Sequence, residues 1–193
     1  MLSAQTDYDA QVLTGDLSGQ SGEGARFLEC TFQRCDLSQV RLARARFGDT
    51  GWYAVHGAAV DLAESTWLDC AVQGARLGAV QLYGAELRRV RFEGCKIEYL
   101  NLRGATVVDC QLVDCQLVEP DFTEATLTRV SFAGSRLVAP DFTRSRLSEV
   151  DLSGAELIAP RGVTGLRGAT ISGAQLFDLA PAFAAELGVV VAE

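Results

Sequence analysis

The sequence predicts an all-β solenoid, one four-sided coil of short strands stacked into a rod, and three observations predict it. Large apolar residues recur at every fifth position, from Phe27, Phe32, Leu37, Leu42, Phe47 and Trp52 to Leu152 and Leu157, with Gly57 the one exception. Two residues before each stands a small or β-branched residue, such as Ala25, Cys30, Cys35 and Val40, with Leu100 the only large exception. Residues twenty apart share their chemistry: Ala25, Ala45, Ser65, Ala85, Ala105, Ala125 and Ser145 form one column, and LVEPDFT at 117–123 returns as LVAPDFT at 137–143.

A period of five fits neither the 3.6 of a helix nor the 2.0 of a long strand, so the chain must bend every five residues. The large residue and the small one two before it then point inward, and the other three face water. Glycine-containing tetrads such as Tyr83-Gly84-Ala85-Glu86 and Ser153-Gly154-Ala155-Glu156 supply bends that accept a positive φ. Four bends close a twenty-residue square, because stacked neighbours in a solenoid share an environment. Roughly seven or eight coils at about 4.8 Å give a rod about 35 to 40 Å long.

The N-terminal stretch, residues 1–24, keeps Val12 and Leu17 in phase and loses the phase at Gly22, which predicts a ragged first coil. The repeat proper covers residues 25–177. Its phase slips by one after Pro160, so that Leu166, Ile171 and Leu176 carry it. Asp178 then reads as the N-cap of a short helix to about Leu187, with Leu179, Phe183 and Leu187 on one face and Gly188 as its stop, so that residues 178–193 cap the rod or join two rods.

Composition bounds the function. A net charge of −8 argues against a direct grip on nucleic-acid phosphates and favours a basic partner surface. With neither a basic, apolar leader at residues 1–11 nor a long apolar run, the expected location is the cytoplasm. The six cysteines all fall in inward small-residue slots, where they read as filler rather than metal ligands or disulfides, and Cys95 is expected to stack on Cys115. His56 is the only histidine and has no paired nucleophile or ligand, so it marks no site. With no nucleophile–base pair, phosphate loop or metal cluster, the sequence predicts no enzyme, no cofactor and no metal.

Triplets such as Cys35-Asp36-Leu37, Val60-Asp61-Leu62, Leu100-Asn101-Leu102 and Val150-Asp151-Leu152 resemble the Ala-Asp/Asn-Leu signature of pentapeptide-repeat proteins over about residues 12–177. That resemblance implies a right-handed quadrilateral β-helix. In size, acidity and C-terminal helix the chain looks like the quinolone-resistance type, Qnr and MfpA, and the immunity proteins of gyrase-inhibitor producers. Such proteins mimic duplex DNA, form homodimers, and bind DNA gyrase or topoisomerase IV to relieve drug poisoning. Unlike many Qnr members, this chain has no projecting loops in its repeat.

Two outward features stand out. Asp109, Asp114, Glu119 and Glu124 occupy one outward slot on four successive faces, Asp121 adds a fifth carboxylate, and no Lys or Arg intervenes between Val107 and Leu127. This acidic belt reads as the partner-binding site or as charge that keeps a rod soluble. A smaller acidic patch, Asp61, Glu64 and Asp69, is separated from it by a basic zone of Arg76, Arg88, Arg89, Arg91, Lys96 and Arg103. The outward column Glu98, Val118, Val138, Ile158 turns apolar and marks a contact with the C-terminal segment or a dimer mate. The expected dimer interface is Val138, Ile158, Leu179, Phe183 and Leu187. Tyr53 and Tyr83 project as possible contact anchors. The alternative function is a scaffold for an unrelated partner.

Overall fold

The computed structural model describes residues 1–192. Four flat faces wind around a continuous core, and every strand pairs in parallel with the strand one coil away. Face I is an eight-stranded sheet running from Asp7–Asp9 through Arg26–Leu28 to Arg146–Ser148. Face II carries Thr31, Gly51, Ala71, Arg91 and Gln111 in register, and face III carries His56, Arg76, Lys96, Gln116, Arg136 and Glu156. Face IV stacks Arg41, Asp61, Gln81, Asn101, Asp121, Asp141 and Arg161. The twenty-residue register inferred from column chemistry is therefore the register of the hydrogen-bonded ladders.

The inward columns are the core. Phe27, Phe47 and Trp67 on face I interlock with Phe32 and Trp52 on face II, with ring centroids 4.3 to 5.4 Å apart for most neighbouring pairs. A second cluster, Phe122, Phe132 and Phe142, fills the C-terminal coils. Polar members of the small columns are satisfied locally. Ser65 Oγ donates to Leu62 O and accepts from the Trp67 indole at 2.8 Å, whereas Trp52 Nε1 is buried without a partner among the described residues.

The bends differ from expectation in their chemistry. The residue two after each inward large one has a positive φ at most corners, and it is usually not glycine: Glu29, Arg34, Arg44, Asp49, Asp69, Arg89 and Glu149 all lie between φ 50 and 58 or close to it, at 47 for Asp49. Gly84 is such a corner, with φ 65, but Gly154 is not. Left-handed backbone costs an L-residue about 1–2 kcal/mol. Turn bonds such as Val40 N–H to Leu37 O at 3.1 Å and ladder bonds to adjacent coils offset that cost. At Ala79 and Tyr99 the strands Arg76–Gln81 and Lys96–Asn101 instead run extended around the corner.

The signature Asp or Asn has a structural task. Asp36 Oδ1 accepts from Ser38 N–H at 2.9 Å, Asn101 from Arg103 at 3.1 Å, and Asp121, Asp141 and Asp151 repeat the contact at 2.8 to 2.9 Å. Each side chain mimics a backbone turn at a corner of the square.

Both ends depart from the phase read in the sequence. The first coil is one residue short: Tyr8 pairs with Phe27 and Leu13 with Phe32, nineteen residues on, until the register shifts between Thr14 and Gly15. Val12 is therefore 66% exposed and Leu13 takes the inward position, which corrects the placement of Val12. Leu2 and Tyr8 close this end, with Tyr8 stacked 4.7 Å from Phe27.

At the other end a short 3-10 helix, Val163–Leu166, and a strand, Ala169–Thr170, lead into helix α1, Gly173–Glu186. Its N-cap is Ser172, not Asp178. Ser172 and Gln175 form a reciprocal capping box, with Gln175 N–H donating to Ser172 Oγ at 3.2 Å and Ser172 N–H to Gln175 Oε1 at 2.7 Å. Leu176 is consequently an exposed helix residue and does not continue the inward period. Pro181 lies inside α1, where its missing N–H leaves the carbonyl of Phe177, an exposed residue, without its i+4 donor. Gly188 ends the helix with φ 70, as expected of a C′ residue.

Candidate protein-binding surface

Outward side chains one coil apart stand at ladder spacing, so a charge is paired or isolated according to what lies twenty residues away. The slot holding Asp109, Asp114, Glu119 and Glu124 is the positive-φ corner slot, with φ 56, 52, 49 and 60. This geometry projects each carboxylate from an edge of the rod. Around face I the corner column reads Glu29, Asp49, Asp69, Arg89, Asp109, Arg129, Glu149. Arg89 binds Asp69 through two nitrogens at 2.5 and 2.8 Å, and Arg129 binds Asp109 at 2.5 and 3.0 Å. The guanidinium beside each of these aspartates holds its carboxyl below the usual range.

The belt is therefore not five free carboxylates. Asp109 pairs with Arg129, Glu124 with Arg144 at 2.6 Å, and Asp121 with Arg103 at 3.2 Å while also accepting from Thr123 N–H. Asp114 and Glu119 are exposed and have no Lys or Arg within 4 Å among the described residues. Asp114 lies over Gly134, the glycine of the next coil, and the residue one coil from Glu119 is Ala139, which carries no charge. The basic zone is thinned likewise. Arg89, Arg91 and Arg103 are engaged with Asp69, Glu93 and Asp121, leaving Arg76, Arg88 and Lys96 unpaired among the described residues.

Tyr53 and Tyr83 are exposed, but the Tyr53 ring lies over Gly51, where an added Cβ would stand 2.4 Å from it. Tyr99, 53% exposed, is a further outward aromatic that the repeat pattern did not single out. Its signal was an aromatic in the corner slot that elsewhere holds turn residues. His56 is exposed in the face III column beside Arg76.

The C-terminal residues separate into two groups. Leu179 is 3% exposed and packs on the last coil, and Gln175 Nε2 donates to Leu152 O at 2.8 Å and Ala155 O at 2.7 Å. Leu179 thus caps its own rod and is not available to a mate, which removes it from the expected interface. Val138, Ile158 and Phe183 are half-buried, and Leu187 is 77% exposed. Leu166, Ile171, Phe183 and Leu187 line a groove on the other side of α1.

All six cysteines are buried, free thiols in the inward columns. Burial pushes Cys70 and Cys110 up to about 11. Cys115, one coil from the Cys95 thiol and buried, is pushed up too. Among the described residues no three His, Cys, Asp or Glu side chains converge as a metal set.

Residues 25–102 match the family profile described as a pentapeptide repeat region, and the paired coils carry the same five-residue geometry on to Ile158. Residues 25–102 thus carry a pentapeptide repeat region. Among solved structures the chain is similar to HetL, a pentapeptide-repeat protein involved in heterocyst differentiation regulation in the cyanobacterium Nostoc sp. strain PCC 7120. The identity is 18% over 87% of this chain and 90% of that one, with a TM-score of 0.50. A trypsin-treated form of QnrB1, a plasmid-mediated fluoroquinolone resistance protein, aligns at 16% identity over 98% and 93% of the two chains, with a TM-score of 0.43. Rfr23, a pentapeptide-repeat protein of the cyanobacterium Cyanothece 51142, aligns at 15% over 82% and 88%, with a TM-score of 0.23. No curated protein sequence matches the chain. At 18% identity the likeness to HetL is one of fold, and fold alone does not assign an activity.

Proposed function

We propose that this chain is a rigid, non-enzymatic DNA mimic that binds DNA gyrase or topoisomerase IV and protects it from quinolones or other topoisomerase poisons. The observation that carries the reading is the pair of unneutralised carboxylates, Asp114 and Glu119, on adjoining edges of one coil in a chain of net charge −8. A groove built for phosphates supplies the Arg and Lys that these two groups lack. The flanking carboxylates Asp109, Asp121 and Glu124 join them by exchanging their arginine partners for the groove's. Exposed ion pairs are weak enough for that exchange. On this reading two rods associate through the C-terminal end, using Ile158, Val138, Phe183 and Leu187, and the protein works in the cytoplasm.

The test is a supercoiling assay with purified gyrase and a fluoroquinolone. The proposal expects supercoiling to be restored at micromolar protein, and unchanged inhibition rejects it. A second reading, a scaffold for an unrelated partner, is favoured by the pairing of three belt carboxylates within the rod itself. Affinity capture that recovers no topoisomerase subunit supports that reading instead.

A further inference from the structure

The solenoid ends on an open edge. On face III the inward residues Leu37, Leu77, Ile97, Leu117 and Leu137 are all buried, whereas Leu157 in the last strand, Glu156–Ile158, is only half-buried. That strand has a neighbour on one side alone. Glu156 N–H donates to Ser135 O at 2.8 Å, and Ile158 O accepts from Ala139 N–H at 2.7 Å. Backbone groups of successive strand residues point to opposite sides, so the N–H and C=O of Leu157 point away from the sheet. They open on a groove between this strand and the first turns of α1, lined by Leu157, Ala174, Gln175, Asp178 and Leu179. Gln175 covers the carbonyls of Leu152 and Ala155 and forms no bond to Leu157.

A matching element lies past α1. After Gly188, Val189 N–H still bonds Ala184 O at 2.8 Å, but Val189, Val190 and Val191 are 55%, 91% and 72% exposed. Three consecutive β-branched residues favour an extended, half-buried strand and have nothing to pack against. An open edge is a template for such a strand.

We propose that Val189–Val191 of a second copy of this chain pairs with the Glu156–Ile158 edge, reciprocally, so that each rod completes face III of the other. Reach favours a second copy over the same chain. The fourteen residues of α1 rise about 21 Å. Residues 189–192 span at most about 14 Å, and the groove lies at the far end of the helix. In the added strand Val190 covers Leu157, and the neighbour in register with Ile158 extends the outward column Val118, Val138, Ile158. Exchange of one segment each way gives a closed two-fold assembly. The inference rests on the reading that two rods associate through the C-terminal end.

The experiment uses the full chain carrying Ile158→Cys and Val191→Cys, oxidised with copper phenanthroline and resolved without reductant. A covalent species of twice the chain mass is expected. A bridge within one chain, or no bridge, overturns the exchange. In sedimentation, Val190→Asp and a chain lacking residues 189–193 are expected to run as monomers with unchanged circular dichroism. A dimer that persists in both overturns the exchange and leaves C-terminal association standing. A wild-type monomer at high micromolar concentration overturns both.

Discussion

Replacing Gly57 sets the repeat pattern against the geometry. By the pattern Gly57 is the one gap in the inward column of face III, and a larger residue there completes a leucine ladder. In the structure Gly57 has φ 156, and a Cβ built on it meets Leu37 C and Ser38 N, both backbone atoms, at 2.7 Å, and Leu37 N at 3.1 Å. Backbone in a hydrogen-bonded ladder cannot swing aside as a side chain does. Overpacking costs about 1–3 kcal/mol. A conformation that L-residues rarely adopt adds about 1–3 kcal/mol more. Gly57→Ala is therefore expected to lose roughly 2–6 kcal/mol, a large share of the ~5–15 kcal/mol that holds a domain together. Gly74→Ala is the control, because its Cβ meets nothing within 4 Å and the same slot holds Ala54 and Asp114 elsewhere. Urea unfolding followed by the fluorescence of buried Trp52 and Trp67 reads both variants. Equal midpoints for the two, or a stabilised Gly57→Ala, refute the reasoning.

Gln175→Ala strips the donor from the carbonyls of Leu152 and Ala155, each a lost bond in a buried place, and is expected to lower stability by about 1–3 kcal/mol; an unchanged melting temperature contradicts the capping role. The six buried thiols are expected to resist a charged disulfide reagent at pH 8 and to react fully only on unfolding, and rapid labelling of the native protein speaks against the inward columns. Asp16, Asp36 and Asp151, held low by Ser18, Ser38 and Ser153, and Asp69 and Asp109, held low by Arg89 and Arg129, all have folded values below the unfolded one of about 3.9. Their stabilisation is thus complete above about pH 4 and is lost as pH falls through the lowered values. A melting temperature that is flat down to that point and then drops fits this account, and one that begins to fall near pH 6 does not.

The core was legible because each inward residue is specified twice, by the five-residue phase and by its neighbours twenty residues away. Phe27, Phe47 and Trp67 could hardly be placed elsewhere. Val12 was misplaced because one missing residue near Thr14 changes the phase without changing composition, and Leu13 beside it is equally apolar. The helix start was missed because Leu176 satisfied the period that the Ser172–Gln175 capping box had already ended. The charge pattern was misread for a different reason. The stretch between Val107 and Leu127 does hold only acids, but Arg129 and Arg144 lie twenty residues from Asp109 and Glu124. A charge on a solenoid has to be judged against the coil above and below it before its neighbours in sequence.

If the uncompensated acidic edge of one coil meets a basic groove, affinity for immobilised gyrase falls as the salt concentration is raised. Charge reversal by Asp114→Lys and Glu119→Lys together is expected to weaken binding at least tenfold and to flatten its salt dependence. The same reversal at Asp7 and Asp9, exposed in the first strand at the N-terminal end of the rod, is expected to change little. Equal losses from the two double variants, or none from the first, contradict the claim.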